Sequence, residues 1–151
     1  MEFQEAITKA MGNSKVTTLK DYFLASIFSI TEEGKGITEW TLLFYNKQTH
    51  KIVDCFVNDK FVTLDQEMPA QKEMERLEAP ENAIEVEKAI EIAKKNYSKK
   101  TINILISLHM APHLMWTITM IGSDISATKF DIDAKSGKIV KEETTSLMKK
   151  I

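Results

Sequence analysis

The sequence predicts an α+β protein with two repeats of one helix plus a four-stranded antiparallel sheet. The two sheets are expected to join edge to edge into one curved sheet of eight strands, with both helices on one face. Two segments carry apolar residues at helical spacing, and each is followed by short segments in which apolar and polar residues alternate. The two series also resemble each other, which indicates an internal repeat. An amphipathic helix must bury its apolar stripe, and one face of an antiparallel sheet is the surface available to it.

Length and composition limit the classes of protein to which this chain can belong. The chain has 151 residues, a formal net charge of −2 and one cysteine. This charge gives no reason to expect nucleic acid as a partner, and no apolar run approaches the roughly 20 residues of a membrane-inserting helix. A single cysteine excludes an intramolecular disulfide. We expect a cytoplasmic protein, or an exported or lipoprotein-anchored one if a leader was removed.

The amino-terminal unit, residues 1–65, is predicted to open with a helix that ends at Gly12. The apolar stripe of this helix contains Phe3, Ala6, Ile7, Ala10 and Met11. The period then changes from 3.6 to 2, which predicts strands at Tyr22–Ile30, Glu39–Tyr45, Lys51–Val57 and Lys60–Leu64. Strict alternation along the first strand predicts that Phe28 and Ile30 face the helix.

A charged linker, residues 66–81, follows the first unit and is framed by Pro69 and Pro80. Ala70, Met74 and Leu77 lie in it at helical spacing, which predicts one short helix. Such a segment can cover a sheet edge, which would otherwise invite pairing with other strands.

The second unit, residues 82–151, repeats the order of helix and strands. Its helix is predicted within residues 82–97, where Val86, Ala89, Ile90, Ala93 and Tyr97 form one stripe. Strands are predicted at Ile102–Leu108, Met115–Ile121, Ala127–Asp133 and Lys138–Glu143. Their alternation places one apolar set under the helix: Ile102, Ile104, Ile106, Leu108, Trp116, Ile118, Met120, Phe130 and Ile132. Asp133 to Gly137 predict a tight hairpin, in which the carboxylate caps N–H groups and the glycine adopts a positive φ.

The two halves align in order. The offset is 76 residues between Trp40 and Trp116 and 83 residues between Ala6 and Ala89, and loops can absorb the difference. Chance similarity between two units of short strands is the alternative explanation.

The second unit resembles the PepSY domains. Their pattern is a helix with A-I-x-I-A, a strand that opens on an aromatic residue, and V-x-V-D-A-x-T-G-K-V. Here "EKAIEIAKK", "MWTITMI" and "FDIDAKSGKIV" match it in order, from about Pro80 to Glu143, with Ser136 where Thr is usual. In the first unit "VNDK" replaces the turn, so that unit would be a degenerate copy. Tandem units of this kind are similar to the β-lactamase-inhibitor-protein architecture, and the resemblance implies inhibition or protein binding without catalytic residues.

The sheet face turned away from the helix is apolar in the first unit, which is unusual for a face in contact with water. Either the linker or a second copy of the chain covers this face, or it is an interface for a partner. We expect partner contacts at Phe23, Ile27, Leu43, Tyr45, Ile52 and Phe56, with a polar rim at Thr117, Thr119 and Lys129.

Histidines and methionines cluster in "LHMAPHLM". His109, Met110, His113 and Met115 are residue types that bind soft metals such as Cu(I). Pro112 interrupts the spacing, however, and no cysteine or carboxylate is adjacent. A hairpin loop with incidental histidines is favoured, and we expect no metal site.

Two further groups have a chemical and a structural interpretation. Asp124, Asp131 and Asp133 could bind Ca²⁺ or act as an acid–base pair, but no further ligand or nucleophile accompanies them. Cys55 and His50 could form a Cys–His pair, but apolar neighbours favour a buried cysteine.

These observations predict a non-enzymatic protein-binding module, an inhibitor or regulator of a peptidase or of an envelope enzyme. Its partner is expected to be another protein, or a second copy in a homodimer, bound through the open sheet face. The alternatives are a carrier of a small apolar ligand and a purely structural homodimer. We expect no catalytic residues and no cofactor.

Overall fold

A computed structural model describes residues 1–148, which form two α-helices and nine strands in a single antiparallel sheet. The helices are α1 (Phe3–Met11) and α2 (Val86–Lys95). The strands are β1 (Tyr22–Glu32), β2 (Glu39–Asn46), β3 (Lys51–Asn58), β4 (Val62–Leu64), β5 (Met68–Pro69), β6 (Thr101–Met110), β7 (Leu114–Gly122), β8 (Ser126–Asp133) and β9 (Ile139–Ser146). The last three residues of the predicted unit 82–151 lie outside the described residues.

The α+β class and the large antiparallel sheet are confirmed, but the predicted composition of two four-stranded repeats is not, because the sheet has nine strands. The strand order is β4-β3-β2-β1-β6-β7-β8-β9, and β5 pairs with the beginning of β3. β1 and β6 are joined by a continuous ladder from Ser26–His109 to Glu32–Asn103. The result is one sheet of nine strands, in which β5 was not predicted.

Both helices bury an alanine-rich stripe against the sheet. Phe3, Ala6 and Ala10 are buried on α1, and Val86, Ala89 and Ala93 are buried on α2. Helices of 9 and 10 residues are marginal in isolation, so tertiary packing supplies most of their stability. Within residues 1–148, neither helix has the length and apolar character needed to cross a membrane.

Two buried tryptophans join the two ends of the core. The Phe3 ring lies edge-on to both, with centroids 6.3 Å from Trp40 and 5.2 Å from Trp116. The Trp40 indole N–H donates to the Met1 carbonyl at 2.9 Å, and that of Trp116 donates to the Ile84 carbonyl at 3.0 Å. Residues of both helices and of the central strands form one hydrophobic cluster, which places both helices on the same face of the sheet.

A β-bulge in β1 reverses the predicted alternation. Leu24 pairs with Phe44, but Ser26 pairs with the next residue of β2, Leu43, so Ala25 is an extra residue. From this point onward, side chains switch faces: Ile27 is fully buried in the core, whereas Phe28 and Ile30 are exposed. The predictions that Ile27 faces a partner and that Phe28 and Ile30 face the helix are therefore wrong.

A second irregularity affects the start of β6. The register of β6 on β7 shifts between Thr101 and Asn103, and Ile102 is exposed although the alternation predicted it under the helix. The other eight residues of the predicted apolar set are buried.

The linker is extended, so the predicted short helix is wrong. Its backbone bonds to the sheet instead: the Ala70 N–H donates to the His50 carbonyl and the Leu77 N–H donates to the Leu24 carbonyl, both at 2.8 Å. Leu77 enters the core, and a short 3₁₀ helix, Pro80–Asn82, precedes α2. The helical spacing of Ala70, Met74 and Leu77 therefore does not produce a helix, because the linker backbone hydrogen-bonds to the sheet instead.

Candidate protein-binding face

The face of the sheet opposite the two helices, which we call the open face, carries rows of directly paired residues. One row crosses the sheet from β3 to β8 and contains Phe56, Thr41, Phe28, Ser107, Thr117 and Asp131. The next row contains Ile30, Leu105, Thr119 and Lys129. Side chains that are paired in this way have Cβ atoms about 4.5–5.5 Å apart, so each row is a continuous surface.

Three exposed apolar side chains meet where β1 joins β6, and we call them the seam patch: Phe28, Ile30 and Leu105. Ile30 is directly opposite Leu105, and Phe28 lies two residues from Ile30 on the same face. Their exposed fractions are 38%, 58% and 37%. A depression of about 230 Å³ lies between Phe28, Leu105 and the threonines of β7. Phe56, 40% exposed, extends the apolar surface beyond Thr41.

The sequence-based prediction missed all three residues of the seam patch. The orientation of Phe28 and Ile30 could not be read from the sequence. Both alternating sets of positions in β1 contain apolar residues, so the pattern does not reveal the bulge at Ala25. Leu105 was detectable, since it is an apolar residue among the polar positions Asn103 and Ser107 of its strand.

The linker covers the end of the open face that the sequence favoured as a binding region. Tyr45 is fully buried, its hydroxyl lies 2.9 Å from His50 Nδ1, and its ring centroid lies 5.6 Å from that of Phe23. The Arg76 guanidinium from the linker stands 5.0 Å over the Phe23 ring, a cation–π geometry. A partner contact at Tyr45 is therefore excluded in this state, because the tyrosine is already enclosed.

The remaining predicted contact residues stay accessible. Phe23, Leu43 and Ile52 are half-buried, and so are the three rim residues Thr117, Thr119 and Lys129. The Thr117 hydroxyl donates to Asp131 Oδ1 at 2.7 Å, which fixes both side chains at the edge of the seam patch. Thr119 pairs directly with Leu105 and with Lys129, so the rim adjoins the patch as its polar border.

The three aspartates do not form one site. Asp124 lies in the β7–β8 turn, where it accepts from Ser126 and forms an ion pair with Lys99 at 2.9 Å. Asp133 lies at the other end of β8, about 20 Å away at the usual rise per residue. There it accepts the N–H groups of Lys135 and Ser136 at 2.9 and 2.8 Å. The carboxylates of Asp124 and Asp133 thus each stabilise a turn, whereas Asp131 accepts from Thr117 within the sheet.

Cys55 and His50 do not form a catalytic pair. The Cys55 side chain is fully buried on the helix side, and burial raises the pKa of its thiol to about 11. His50 lies in the turn between β2 and β3, where its ring contacts Tyr45. A thiol that keeps its proton and lies in the core is not a nucleophile.

The histidines near the β6–β7 turn also separate. His109 is directly paired with Met115 on the open face, and its Nδ1 lies 3.3 Å from the Ser107 hydroxyl. His113 lines a different cavity, of about 210 Å³, which Asp133 and Lys135 also line.

Three exposed carboxylates meet beside the helix starts. Ligand atoms of Glu2, Glu85 and Glu87 lie within 4.8 Å of one another. Burial, followed by repulsion from Glu87 and contacts with Glu85, raises the pKa of Glu2. Sequence reasoning missed this cluster because α1 and α2 bring distant residues together. Exposed acidic groups alone do not identify a ligand.

Comparison with known proteins supports the predicted resemblance. Residues 83–143 match the PepSY family model, described as "Peptidase propeptide and YPEB domain". No curated protein is found that matches this chain. A solved structure of a "putative lipoprotein" from Clostridium difficile 630 is similar, with 13% identity and a TM-score of 0.62. The alignment covers 96% of this chain and 93% of that one. At this identity, the similarity concerns the fold alone.

Proposed function

Because residues 83–143 match the PepSY model, we propose that this chain is a non-enzymatic protein-binding module that regulates or inhibits a peptidase or an envelope enzyme. The observation that carries the proposal is the seam patch: three apolar side chains exposed together on a paired sheet, next to a polar rim. An apolar centre with a polar border is the usual composition of a protein interface.

The shape of the seam patch favours a protein over a small ligand. The depression beside Phe28 measures about 230 Å³, and small-molecule sites typically occupy about 300–1,000 Å³. A protein partner could instead lay one large side chain into this depression. For this reason we rank protein binding above small-ligand binding at the seam patch.

An envelope location is part of the proposal. The similar solved structure is described as a "putative lipoprotein", and the matching family model carries a propeptide in its description. Both descriptions belong to other proteins, and they favour the exported alternative over a cytoplasmic one for this chain.

We also infer that the two halves, residues 1–65 and 82–151, are copies of one unit joined by the linker at 66–81. The indole N–H of each tryptophan donates to a carbonyl two residues before a helix: Met1 precedes α1 at Phe3, and Ile84 precedes α2 at Val86. The offset between these carbonyls is 83 residues, equal to the offset between the alanine stripes of the helices. This detailed correspondence supports duplication over chance similarity.

Photo-crosslinking tests the binding proposal. A photoreactive amino acid at position 28 should crosslink a partner in envelope extracts, whereas the same group at Lys88, which is exposed on α2, should not. Equal crosslinking at both positions would contradict a specific open-face interface. A crosslinked pair of identical chains would identify the partner as a second copy.

A matched pair of substitutions then measures the contribution of the patch. Ile30 and Val140 are both 58% exposed strand residues, but only Ile30 belongs to the seam patch. Ile30→Glu should weaken binding of the crosslinked partner by at least about tenfold, as expected for a central interface residue. Val140→Glu should leave affinity unchanged, and thermal unfolding should show both variants folded. Equal affinities for the two variants would refute the proposed site.

A further inference from the structure

A cavity of about 470 Å³ lies between the linker and the open face, beside the end of β6 at which His109 pairs with Ser26 of β1. Linker residues Lys72 to Glu75 form one wall, and Ser107, His109 and Met110 form another. Segments far apart in sequence thus enclose a single space.

Soft donor atoms gather in and beside this cavity. Met74 lines it from the linker, and His109 and Met110 line it from β6. Met115 on β7 is the direct cross-strand partner of His109, so its side chain projects on the same face as the imidazole. Met74 and Met110 thus line the same cavity as His109, and Met115 is the cross-strand partner of that histidine. Thioether sulfur and imidazole nitrogen are donors that select Cu(I) among biological metals.

The environment of His109 prepares its imidazole as a ligand. The Ser107 hydroxyl lies 3.3 Å from Nδ1, and no hydrogen bond to Nε2 is found among residues 1–148. Such a contact at one ring nitrogen orients the other toward a metal.

The charges around the cavity also affect the binding of a cation. Glu73 and Glu75 are on the linker wall and Asp131 is near His109, whereas Lys72 and Lys129 oppose them. The three carboxylates and two ammonium groups leave a small negative excess. A monovalent cation is therefore not repelled, and the thioethers disfavour hard divalent ions.

We propose that Met74, His109 and Met115 form a binding site for a soft monovalent metal ion, Cu(I) or its analogue Ag(I), between the linker and the open face. The linker supplies Met74, so a bound ion would tie the linker to the sheet. This site is separate from the seam patch and independent of the protein-binding proposal.

Titration with Ag(I) in chloride-free buffer tests the site, followed by calorimetry and by NMR of methionine methyl groups. We expect one ion per chain, with shifts of the Met74 and Met115 methyl signals and of the His109 ring. His109→Gln and Met74→Leu should each weaken binding by at least about tenfold, the scale on which metal sites lose affinity when supporting groups are removed.

Controls separate this site from other soft ligands of the chain. Met120→Leu alters a buried methionine of β7 on the helix side, and His113→Gln alters a histidine of another cavity; neither should change the affinity. Cys55→Ala removes the one thiol, and binding should persist. Met74 is half-buried in the linker, so thermal unfolding of Met74→Leu should accompany the titration and show that the variant is folded.

Several outcomes would overturn the proposal. These are absence of Ag(I) binding, unchanged affinity in His109→Gln, loss of binding in Cys55→Ala, or tighter binding of Zn²⁺ than of Ag(I). Repetition with Cu(I) under ascorbate should reproduce the one-ion stoichiometry and the same dependence on Met74.

Discussion

Three glycines form a natural series for measuring how the β8–β9 hairpin packs. Gly137 has φ +78°, and a Cβ atom there would lie 3.2 Å from Ile92 Cδ1 and 3.7 Å from Ile84 Cδ1. Gly34 has a nearly identical φ of +80°, but an added Cβ would meet nothing within 4 Å. Gly36 has neither a positive φ nor a neighbour within that distance. Alanine substitution at each site thus separates backbone strain from steric contact.

The expected magnitudes follow from this geometry. A side chain in the left-handed region costs roughly 1–2 kcal/mol, and the reduced entropy of the unfolded chain offsets about 0.4–1 kcal/mol. Gly34→Ala should therefore destabilise by about 1 kcal/mol, whereas Gly36→Ala should be neutral or slightly stabilising. Gly137→Ala adds a crowded contact, which costs about 1–3 kcal/mol in cores. The end of the Ile92 side chain can shift, so we expect a total of about 2–3 kcal/mol.

Urea denaturation of the three variants, supported by thermal melting, measures these differences. In a protein of this length, 1 kcal/mol corresponds to roughly 2–4 °C in Tm, so Gly137→Ala should melt about 5–10 °C below the parent chain. If Gly137→Ala were no less stable than Gly34→Ala, the hairpin would not pack against Ile92 and the reasoning would fail. If Gly34→Ala were neutral, the strain component would be wrong.

Three further predictions concern the core and the hairpin. Trp40→Phe and Trp116→Phe each lose an indole hydrogen bond and buried volume, so each should lower the free energy of unfolding by about 2–4 kcal/mol. A large effect at only one tryptophan would argue against equivalent units. Burial raises the folded-state pKa of Cys55 from 9.0 to about 11. The contribution of the protonated thiol to stability is therefore complete below pH 9 and is lost as pH rises toward 11. Over this range the urea midpoint should fall less steeply in Cys55→Ala than in the parent chain. Hydrogen bonding from the Ser136 N–H lowers the pKa of Asp133, so the contribution of this carboxylate to stability should be lost as pH falls below the usual range of an aspartate. At neutral pH, Asp133→Ala should lower the free energy of unfolding by about 1–2 kcal/mol. An unchanged urea midpoint would contradict this role.

Some features were predictable because local and long-range preferences agree. The stripe of α2 is unambiguous, since Val86, Ala89 and Ala93 are spaced for one face and charged residues occupy the other. In the hairpin, Asp133 and Gly137 carry out the roles that turn chemistry assigns to them, as N–H acceptor and positive-φ residue. In β7 and β8 the alternation of apolar and polar residues is clean, so the burial of Trp116, Ile118 and Phe130 could be read directly from the sequence.

The bulge at Ala25 illustrates what sequence reasoning could not detect. Period-2 alternation reveals a register only where one parity is polar, and Ile27, Phe28 and Ile30 are all apolar. Either register satisfies the local pattern, and pairing with β2 and β6 decides between them. The linker was misread for a related reason. Its backbone partners, the carbonyls of Leu24 and His50, lie far away in sequence, so helical spacing was the only local signal.

The bulge and the linker together determine which part of the open face remains free. The linker encloses Tyr45 at one end, while the bulge turns Phe28 and Ile30 outward at the centre. The exposed apolar surface therefore lies over β1 and β6, each of which is paired with a strand on both sides. Doubly paired strands fix the backbone and hence the positions of the side chains they carry, so a partner would lose little conformational entropy in ordering this surface. A patch on an edge strand such as β9 lacks this support, and for this reason we expect Ile30 rather than Val140 to contribute to binding.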